Sequence, residues 1–142
     1  MTDPLQDIRQ YSPTMTISQV LLFCERKNLD ITRGMIQNYI RDGLLPPPVN
    51  KRQYTHKHLA ALAMIHRLKT VFDMSTIREA LQPYMDEEGL PIDVYSAIID
   101  KLIGMVTKWQ THIAPALAVE EDEGTLLSMV FATELKDSVV GG

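Results

Sequence analysis

Three consecutive prolines, Pro46 to Pro48, constrain the centre of this 142-residue chain more than any other feature. A proline ring fixes φ and removes an N–H donor, so three in a row cannot continue a helix and form a stiff, extended segment. The segment before them begins with Thr32, a hydroxyl residue suited to capping, carries apolar side chains at helical spacing and ends with Gly43. We therefore predict a helix over about residues 32–43, followed by an abrupt exit.

The polar side of this predicted helix carries residues suited to contacts with DNA bases. A step of about 100° per residue places Ile36, Tyr39 and Ile40 on one face. The opposite face and its flank consist of Arg33, Gly34, Gln37, Asn38 and Arg41. Gln and Asn can bond adenine through two atoms, Arg can bond guanine, and glycine lets a backbone approach closely. An ordinary solvated helix face is the alternative interpretation of the same pattern.

A short basic segment follows the prolines. It contains Asn50 as a turn residue, Lys51 and Arg52 as cations, and Tyr54 as an aromatic that can pin the segment to the body. This composition predicts a small β-hairpin over residues 49–54, with a new helix beginning after Thr55. From the helix start and the basic segment we expect contacts to the DNA backbone by Thr32, Lys51, Arg52, Tyr54, His56 and Lys57.

The runs MIQNYIRDGLLPPP, KRQYTHKHLAALAMIHRLK and MSTIREAL are similar to the DNA-binding head of the MerR-type winged helix-turn-helix regulators. In that family a recognition helix ends in Gly-Leu-Leu-Pro-Pro, and a wing carries an Arg two residues before a Tyr, as Arg52 and Tyr54 do here. The chain resembles more closely an uncharacterised bacterial family, known only as a domain of unknown function and thought to carry the same head. The resemblance covers roughly residues 17–81. It departs at Gln37 and Asn38, where the regulators usually have an Arg and an aromatic residue, so no base preference transfers.

Charge is distributed unevenly along the chain. The formal net charge is −4, but residues 31–70 carry seven basic groups and one acidic group, whereas residues 71–142 carry four and thirteen. A cationic block on the predicted head is what attraction to phosphates requires. Chance clustering on a solvated surface is the alternative, and the coincidence with the predicted wing argues against it.

The predicted fold is mainly α. It has an N-terminal arm outside the core (residues 1–15), a winged helix-turn-helix head with a small β-hairpin wing (residues 16–82), and a C-terminal dimerisation region of two helices (residues 83–142). A long helix from Pro91 to about Ala114, broken by Pro115, carries apolar residues at heptad-like steps. We expect a homodimer through this seam, which consists of Tyr95, Ile99, Leu102, Val106, Trp109 and Ile113.

Other classes of protein find little support. The single cysteine, Cys24, excludes an internal disulfide and lies among apolar residues, which indicates a buried thiol. His56 and His58 point to different sides of a helix and have no Cys or acidic neighbour, so we expect no metal and no cofactor. The chain has no apolar run of membrane-spanning length and no signal peptide at its start, and we expect a cytoplasmic protein.

The leading functional prediction is a sequence-specific transcriptional regulator that binds double-stranded DNA as a homodimer. The alternative is a protein-interaction adaptor that keeps the helix-turn-helix fold without binding DNA. An enzyme is not expected, because no nucleophile elbow, phosphate loop or pair of catalytic carboxylates is visible. The operator, the direction of regulation and any small-molecule effector are not encoded in a form that can be deduced.

Overall fold

The computed structural model describes residues 3–117 and residue 130, and it is mainly helical with one small pair of strands. The chain forms two compact units, residues 1–99 and residues 100–142. The helices are α1 (Ile17–Arg26), α2 (Arg33–Arg41), α3 (His56–Leu68), α4 (Met74–Leu81), α5 (Ile92–Lys108) and α6 (Ala114–Leu117). Short 3-10 helices cover Ile8–Gln10 and Gln82–Tyr84, and a π-helical turn covers Trp109–Ile113.

The strand pair joins segments that are far apart in sequence. β1 (Thr14–Met15) runs antiparallel to β2 (Tyr54–Thr55), with Thr14 opposite Thr55 and Met15 opposite Tyr54. The predicted hairpin segment leads into β2, which begins at its last residue, and is closed by a single bridge between Val49 and Gln53. Pairing with β1 thus fixes the base of this basic segment to the N-terminal part of the chain.

Three helix starts are fixed by side chains that cap them. The Thr16 hydroxyl accepts the Gln19 N–H at 3.3 Å, and the Gln19 side chain accepts the Thr16 N–H at 2.8 Å, which completes a capping box on α1. Thr32 caps α2, and Asp73 caps α4 by accepting the Thr76 N–H at 2.8 Å. That hydrogen bond lowers the pKa of the Asp73 carboxyl.

α3 is the central helix of the first unit. Seven consecutive residues, 59–65, are buried, so this helix is covered on every side. Several of them are alanines, whose small side chains let neighbouring elements approach closely. The helix that follows the basic segment therefore supports the whole unit.

The expectation that residues 1–15 lie outside the core is wrong. Leu5 and Ile8 are each only 4% exposed and belong to the hydrophobic core. The segment is held in place by the Tyr95 hydroxyl, which donates to Asp3 Oδ1 at 2.9 Å, and by an ion pair between Lys27 and Asp7. A partner 92 residues away leaves no local pattern in the sequence, which explains the error.

Two residues of the predicted dimer seam belong to the core of the first unit instead. Tyr95 and Ile99 are 2% and 3% exposed within a single chain, and the first unit extends to residue 99 rather than ending at residue 82. The other members of the seam, Leu102, Val106, Trp109 and Ile113, are half-buried. The apolar repeat thus begins in an intramolecular core and continues on a partly exposed helix.

Pro115 does not end the helical segment as predicted. It lies within α6, directly after the π-helical turn, in which the Ala114 N–H bonds to the Trp109 carbonyl. A proline has no N–H to offer the carbonyl one turn earlier, and a wider π turn is one way to accommodate that loss. The predicted last helix, around residues 120–135, lies outside the described residues apart from Val130.

Candidate nucleic-acid interface

The exposed side of α2 is the polar surface expected from the sequence. Ile36 and Tyr39 are buried, whereas Arg33, Gly34, Gln37, Asn38 and Arg41 are all exposed. The Thr32 hydroxyl accepts the Met35 N–H at 3.2 Å, so the first turn of the helix is fixed where Arg33 and Gly34 stand. The helix presents a row of hydrogen-bonding side chains on a rigid element.

The end of α2 is equally well defined. Gly43 adopts a φ of +74°, and the Leu44 N–H bonds back to the Tyr39 carbonyl at 2.8 Å. A glycine tolerates this left-handed conformation, which closes the helix. Leu44 and Leu45 then insert into the core, so the prolines leave the helix from a fixed point.

The basic loop, residues 49–53, projects two cations. Val49 and Gln53 exchange backbone hydrogen bonds of 2.7 and 2.9 Å, and Asn50 and Lys51 at the turn have φ of 52° and 65°. Asparagine adopts this region readily and lysine does not, so the loop holds Lys51 in an uncommon conformation at its tip. Lys51 and Arg52 are exposed as a consequence.

A buried histidine holds the base of the loop. His58 is fully buried; its Nδ1 accepts the Thr55 N–H at 3.0 Å, which leaves Nε2 to donate to the Pro47 carbonyl at 3.0 Å. The Tyr54 ring packs edge-on against it at 5.2 Å. Burial lowers the pKa of His58 and favours the neutral ring that this hydrogen-bond pattern needs. One side chain thus joins the proline exit, β2 and the start of α3.

Three of the predicted phosphate contacts have other roles. Tyr54 is only 7% exposed and packs inside the base of the loop. His56 lies with Nε2 at 3.2 and 3.0 Å from the carbonyl oxygens of Tyr11 and Ser12. These two residues therefore fix the loop and the N-terminal segment rather than project toward a partner.

Lys57 is the third. Its ammonium donates to Asp86 Oδ2 at 2.7 Å and lies 3.9 Å from Glu88 Oε2, and the hydrogen bond to Asp86 raises the pKa of Lys57. The Leu90 N–H also bonds to the Lys57 carbonyl at 3.0 Å. The acidic turn after α4 packs on the first turn of α3 and neutralises the Lys57 cation.

The surviving cationic surface is compact. Within residues 3–117 and residue 130, Arg33, Lys51 and Arg52 form no ion pair, while Arg41 pairs with the adjacent Asp42 at 3.2 Å on the surface. A shallow cleft of about 270 Å³ lies between the basic loop and the start of α1, lined by Thr16, Ile17, Lys51, Arg52 and Tyr54. Neither Thr16 nor Ile17 was predicted to lie at this surface, because only the β1–β2 pairing brings them to the loop.

In the part of the chain that is described, no arrangement of residues indicates another kind of site. No three His, Cys, Asp or Glu side chains there are placed to hold a metal ion. Cys24 is buried, and burial raises its pKa to about 11, which favours the unreactive thiol. No helix among these residues is long and apolar enough to cross a membrane.

The fold and the surface define a mainly helical protein whose second helix and adjoining basic loop are displayed on a shared support. The chain belongs to the family described as Domain of unknown function (DUF1836), whose model matches residues 7–98. No significant match is found among curated proteins or among solved structures. The matched region spans α1 to the start of α5 and contains the whole of the surface described above.

Proposed function

We propose that this protein binds double-stranded DNA through α2 and the basic loop, as a sequence-specific transcriptional regulator. The observation that carries the proposal is the exposed set of Arg33, Gln37 and Asn38 on a rigidly capped helix, beside Lys51 and Arg52, which form no ion pair with any described residue. Side chains with these donors and acceptors can discriminate base edges, and unpaired cations can hold phosphates. The resemblance to MerR-type heads over residues 17–81 supports the same assignment.

The different roles proposed for α2 and the basic loop follow from how each of them is anchored. α2 is anchored through Ile36 and Tyr39 in the core, so its polar face is held in one orientation. The loop is anchored through the hydrogen bonds of His58 and the packing of Tyr54, so Lys51 and Arg52 are presented at a fixed place relative to α2. A helix of this kind fits the major groove, and a short loop of cations fits the backbone beside it.

We further propose that the regulator acts as a homodimer. In the second unit, Ile103 and Met105 are 44% and 65% exposed, next to the half-buried Leu102 and Val106. An apolar helix surface of this kind in a single chain is typical of an association site. A twofold dimer would place one head on each half of a palindromic operator.

The test is a titration of the full-length protein onto random-sequence duplex DNA at several salt concentrations, followed by selection of bound sites. We expect binding that weakens as salt is added. The logarithm of the binding constant should fall with the logarithm of the salt concentration, with a slope of about −0.9 for each phosphate neutralised. Replacing Lys51 and Arg52 together by Gln should weaken binding to all sequences. The charge-matched control replaces Lys101 and Lys108, two exposed lysines of α5, by Gln and should leave the affinity nearly unchanged.

Two outcomes would count against the proposal. The first is an absence of salt-dependent binding to any duplex. The second is an equal loss of affinity for the two double variants, which would indicate a non-specific effect of net charge. Either result would favour the adaptor, which uses the same helices for a protein partner.

A further inference from the structure

One cavity in the first unit lies away from α2 and the basic loop. It has a volume of about 690 Å³, and its walls come from the N-terminal segment, the end of α1, α3 and the first part of α5. That volume is in the range of roughly 300–1,000 Å³ usual for small-molecule sites. The proposed DNA interface makes no use of this cavity.

One wall supplies fixed carboxylates. Asp3 Oδ1 accepts hydrogen bonds of 2.9 Å from both the Leu5 N–H and the Tyr95 hydroxyl, which holds the carboxylate in place. Asp7 Oδ1 is paired with Lys27, whose hydrogen bond lowers the pKa of Asp7 and keeps it ionised. Among residues 3–117 and 130, no side chain other than those of Tyr95 and Lys27 bonds to these two carboxylates. This wall therefore offers acceptors for a cationic group.

The wall formed by the end of α1 and by α3 supplies guanidinium groups. Arg26 ends α1, is exposed at the rim and has no hydrogen bond or ion pair with any described residue. Arg67, on α3, also lines the cavity, and its charge acts on the Tyr95 hydroxyl, which bonds to Asp3. Guanidinium groups bind carboxylates through two parallel hydrogen bonds, so this wall suits an anionic group.

We propose that the cavity binds a small zwitterion of the free α-amino acid class. Its ammonium group bonds to the carboxylates of Asp3 and Asp7, and its carboxylate bonds to Arg26. A ligand with a single charge bonds either to the carboxylates or to Arg26, whereas a molecule with both charges bonds to both, so it is favoured over either half. The remaining space accommodates a side chain.

The position of the cavity would allow such a ligand to affect α2. His66 also lines the cavity, and its Nε2 accepts the N–H of Asp30 at 3.3 Å, while the Lys69 ammonium donates to the Asp30 carbonyl at 3.4 Å. Asp30 precedes Thr32, the cap of α2, by two residues. A ligand on this face of α3 therefore lies against the residues that hold the turn into α2. Any action of the ligand as an effector rests on the proposed function, whereas the binding of the ligand does not.

The test is calorimetric titration of the full-length protein, without DNA, with glycine, L-alanine, L-leucine, L-lysine and L-glutamate in turn, each up to about 10 mM. Propylamine and propionate serve as matched probes that carry one charge each. At least one amino acid should bind, and both single-charge probes should bind at least about tenfold more weakly than the best amino acid, since each forgoes one set of charged hydrogen bonds.

Two substitutions locate the site. Arg26→Gln removes a side chain that has no other described partner, and Asp3→Asn keeps an oxygen for Leu5 and Tyr95 while removing the charge. Each should weaken binding about tenfold or more, since a hydrogen bond to a charged group is worth about 1.5–3 kcal/mol. Arg9→Gln and Asp93→Asn are matched controls, because both residues are exposed and lie outside the cavity lining.

The proposal is overturned if none of the five amino acids binds in this range, if propylamine or propionate binds as tightly as the best amino acid, or if Arg26→Gln and Asp3→Asn bind like the controls. Because no DNA is present, none of these results depends on the proposed DNA binding. The two proposals therefore fail or succeed separately.

Discussion

Replacing His58 should separate the support of the basic loop from the rest of the fold. His58→Leu fills nearly the same space but leaves the Thr55 N–H and the Pro47 carbonyl without their partner. A buried backbone group left unpaired costs about 1–3 kcal/mol. Since both groups here are only partly buried, we expect each loss to lie near the lower end of that range, and a total loss of about 2–3 kcal/mol in the free energy of unfolding.

His58→Gln provides a graded comparison. In α1 the corresponding position is Gln19, whose side chain accepts the N–H of its capping threonine at 2.8 Å, so a glutamine at position 58 can do the same for Thr55. Only the bond to Pro47 is then lost, and we expect about half the loss of His58→Leu, roughly 1–1.5 kcal/mol. Gln19→Leu is the exposed control and should cost about 0.5–1 kcal/mol.

The pH dependence gives an independent readout. Burial lowers the pKa of His58 in the folded state, so its contribution to stability is fully present above the unfolded pKa, near 6.5, and decreases as the pH falls below it toward the folded pKa. The loss is at most about 1.4 kcal/mol per pH unit for one group. His66 is shifted in the same direction by burial, so His58→Gln should reduce this slope without abolishing it.

The assay is urea unfolding of the three variants and the unsubstituted protein at pH 7.5, 6.5 and 5.5, all about one unit apart. Unchanged stability of His58→Leu to within about 0.5 kcal/mol would refute the account, since it would mean that neither backbone group depends on the ring. An unchanged pH slope in His58→Gln would refute the assignment of a buried neutral histidine.

Three further results are expected. In a thermal melt, Gly89→Ala should destabilise the protein by about 2 kcal/mol or more, because a Cβ there would overlap the Lys57 carbonyl and φ is +135°. Gly104→Ala, with open space around it, should be neutral or slightly stabilising in the same assay. Cys24 should react slowly with an alkylating reagent in the native state and rapidly in denaturant, and fast native labelling would mean that α1 is rotated. Val106→Asp should shift a dimer toward monomer in sedimentation, and an unsubstituted protein that sediments as a monomer at high micromolar concentration would remove the basis for the proposed dimer.

The parts of the structure that the sequence predicted well are those governed by neighbours in the chain. The Thr32 cap, the burial of Ile36 and Tyr39, the end of α2 at Gly43 and the turn at Asn50 each depend on local backbone rules. The polar face of α2 followed directly from helical spacing. These features bring together most of the surface proposed to bind DNA.

The errors concern contacts between residues far apart in the chain. Lys57 looked like an available cation, but Asp86, 29 residues later, neutralises it. Tyr95 looked like part of a dimer seam, but Asp3 and the core of the first unit enclose it. Spacing predicts which face of a helix is apolar and not whether that face is covered by the same chain or by another.

His58 combines both difficulties. Histidine at the third position of a helix is compatible with a cap, a phosphate contact or a metal ligand, and only the placement of Pro47 selects among them. The sequence does contain one feature that indicates the capping role of His58. The spacing of Thr55 and His58 matches that of Thr16 and Gln19, in which a capping threonine is followed three residues later by an acceptor.

The most direct measurement of the central claim compares two single substitutions in one salt-dependent DNA titration. Arg52→Ala should weaken binding to all sequences alike and lower the salt slope by about one unit per lost phosphate contact. Gln37→Ala should leave the slope nearly unchanged, cost roughly 1–3 kcal/mol at the preferred site and relax discrimination there. If the two variants behave identically, or if neither alters DNA binding, α2 does not contact base edges and the proposed function is wrong.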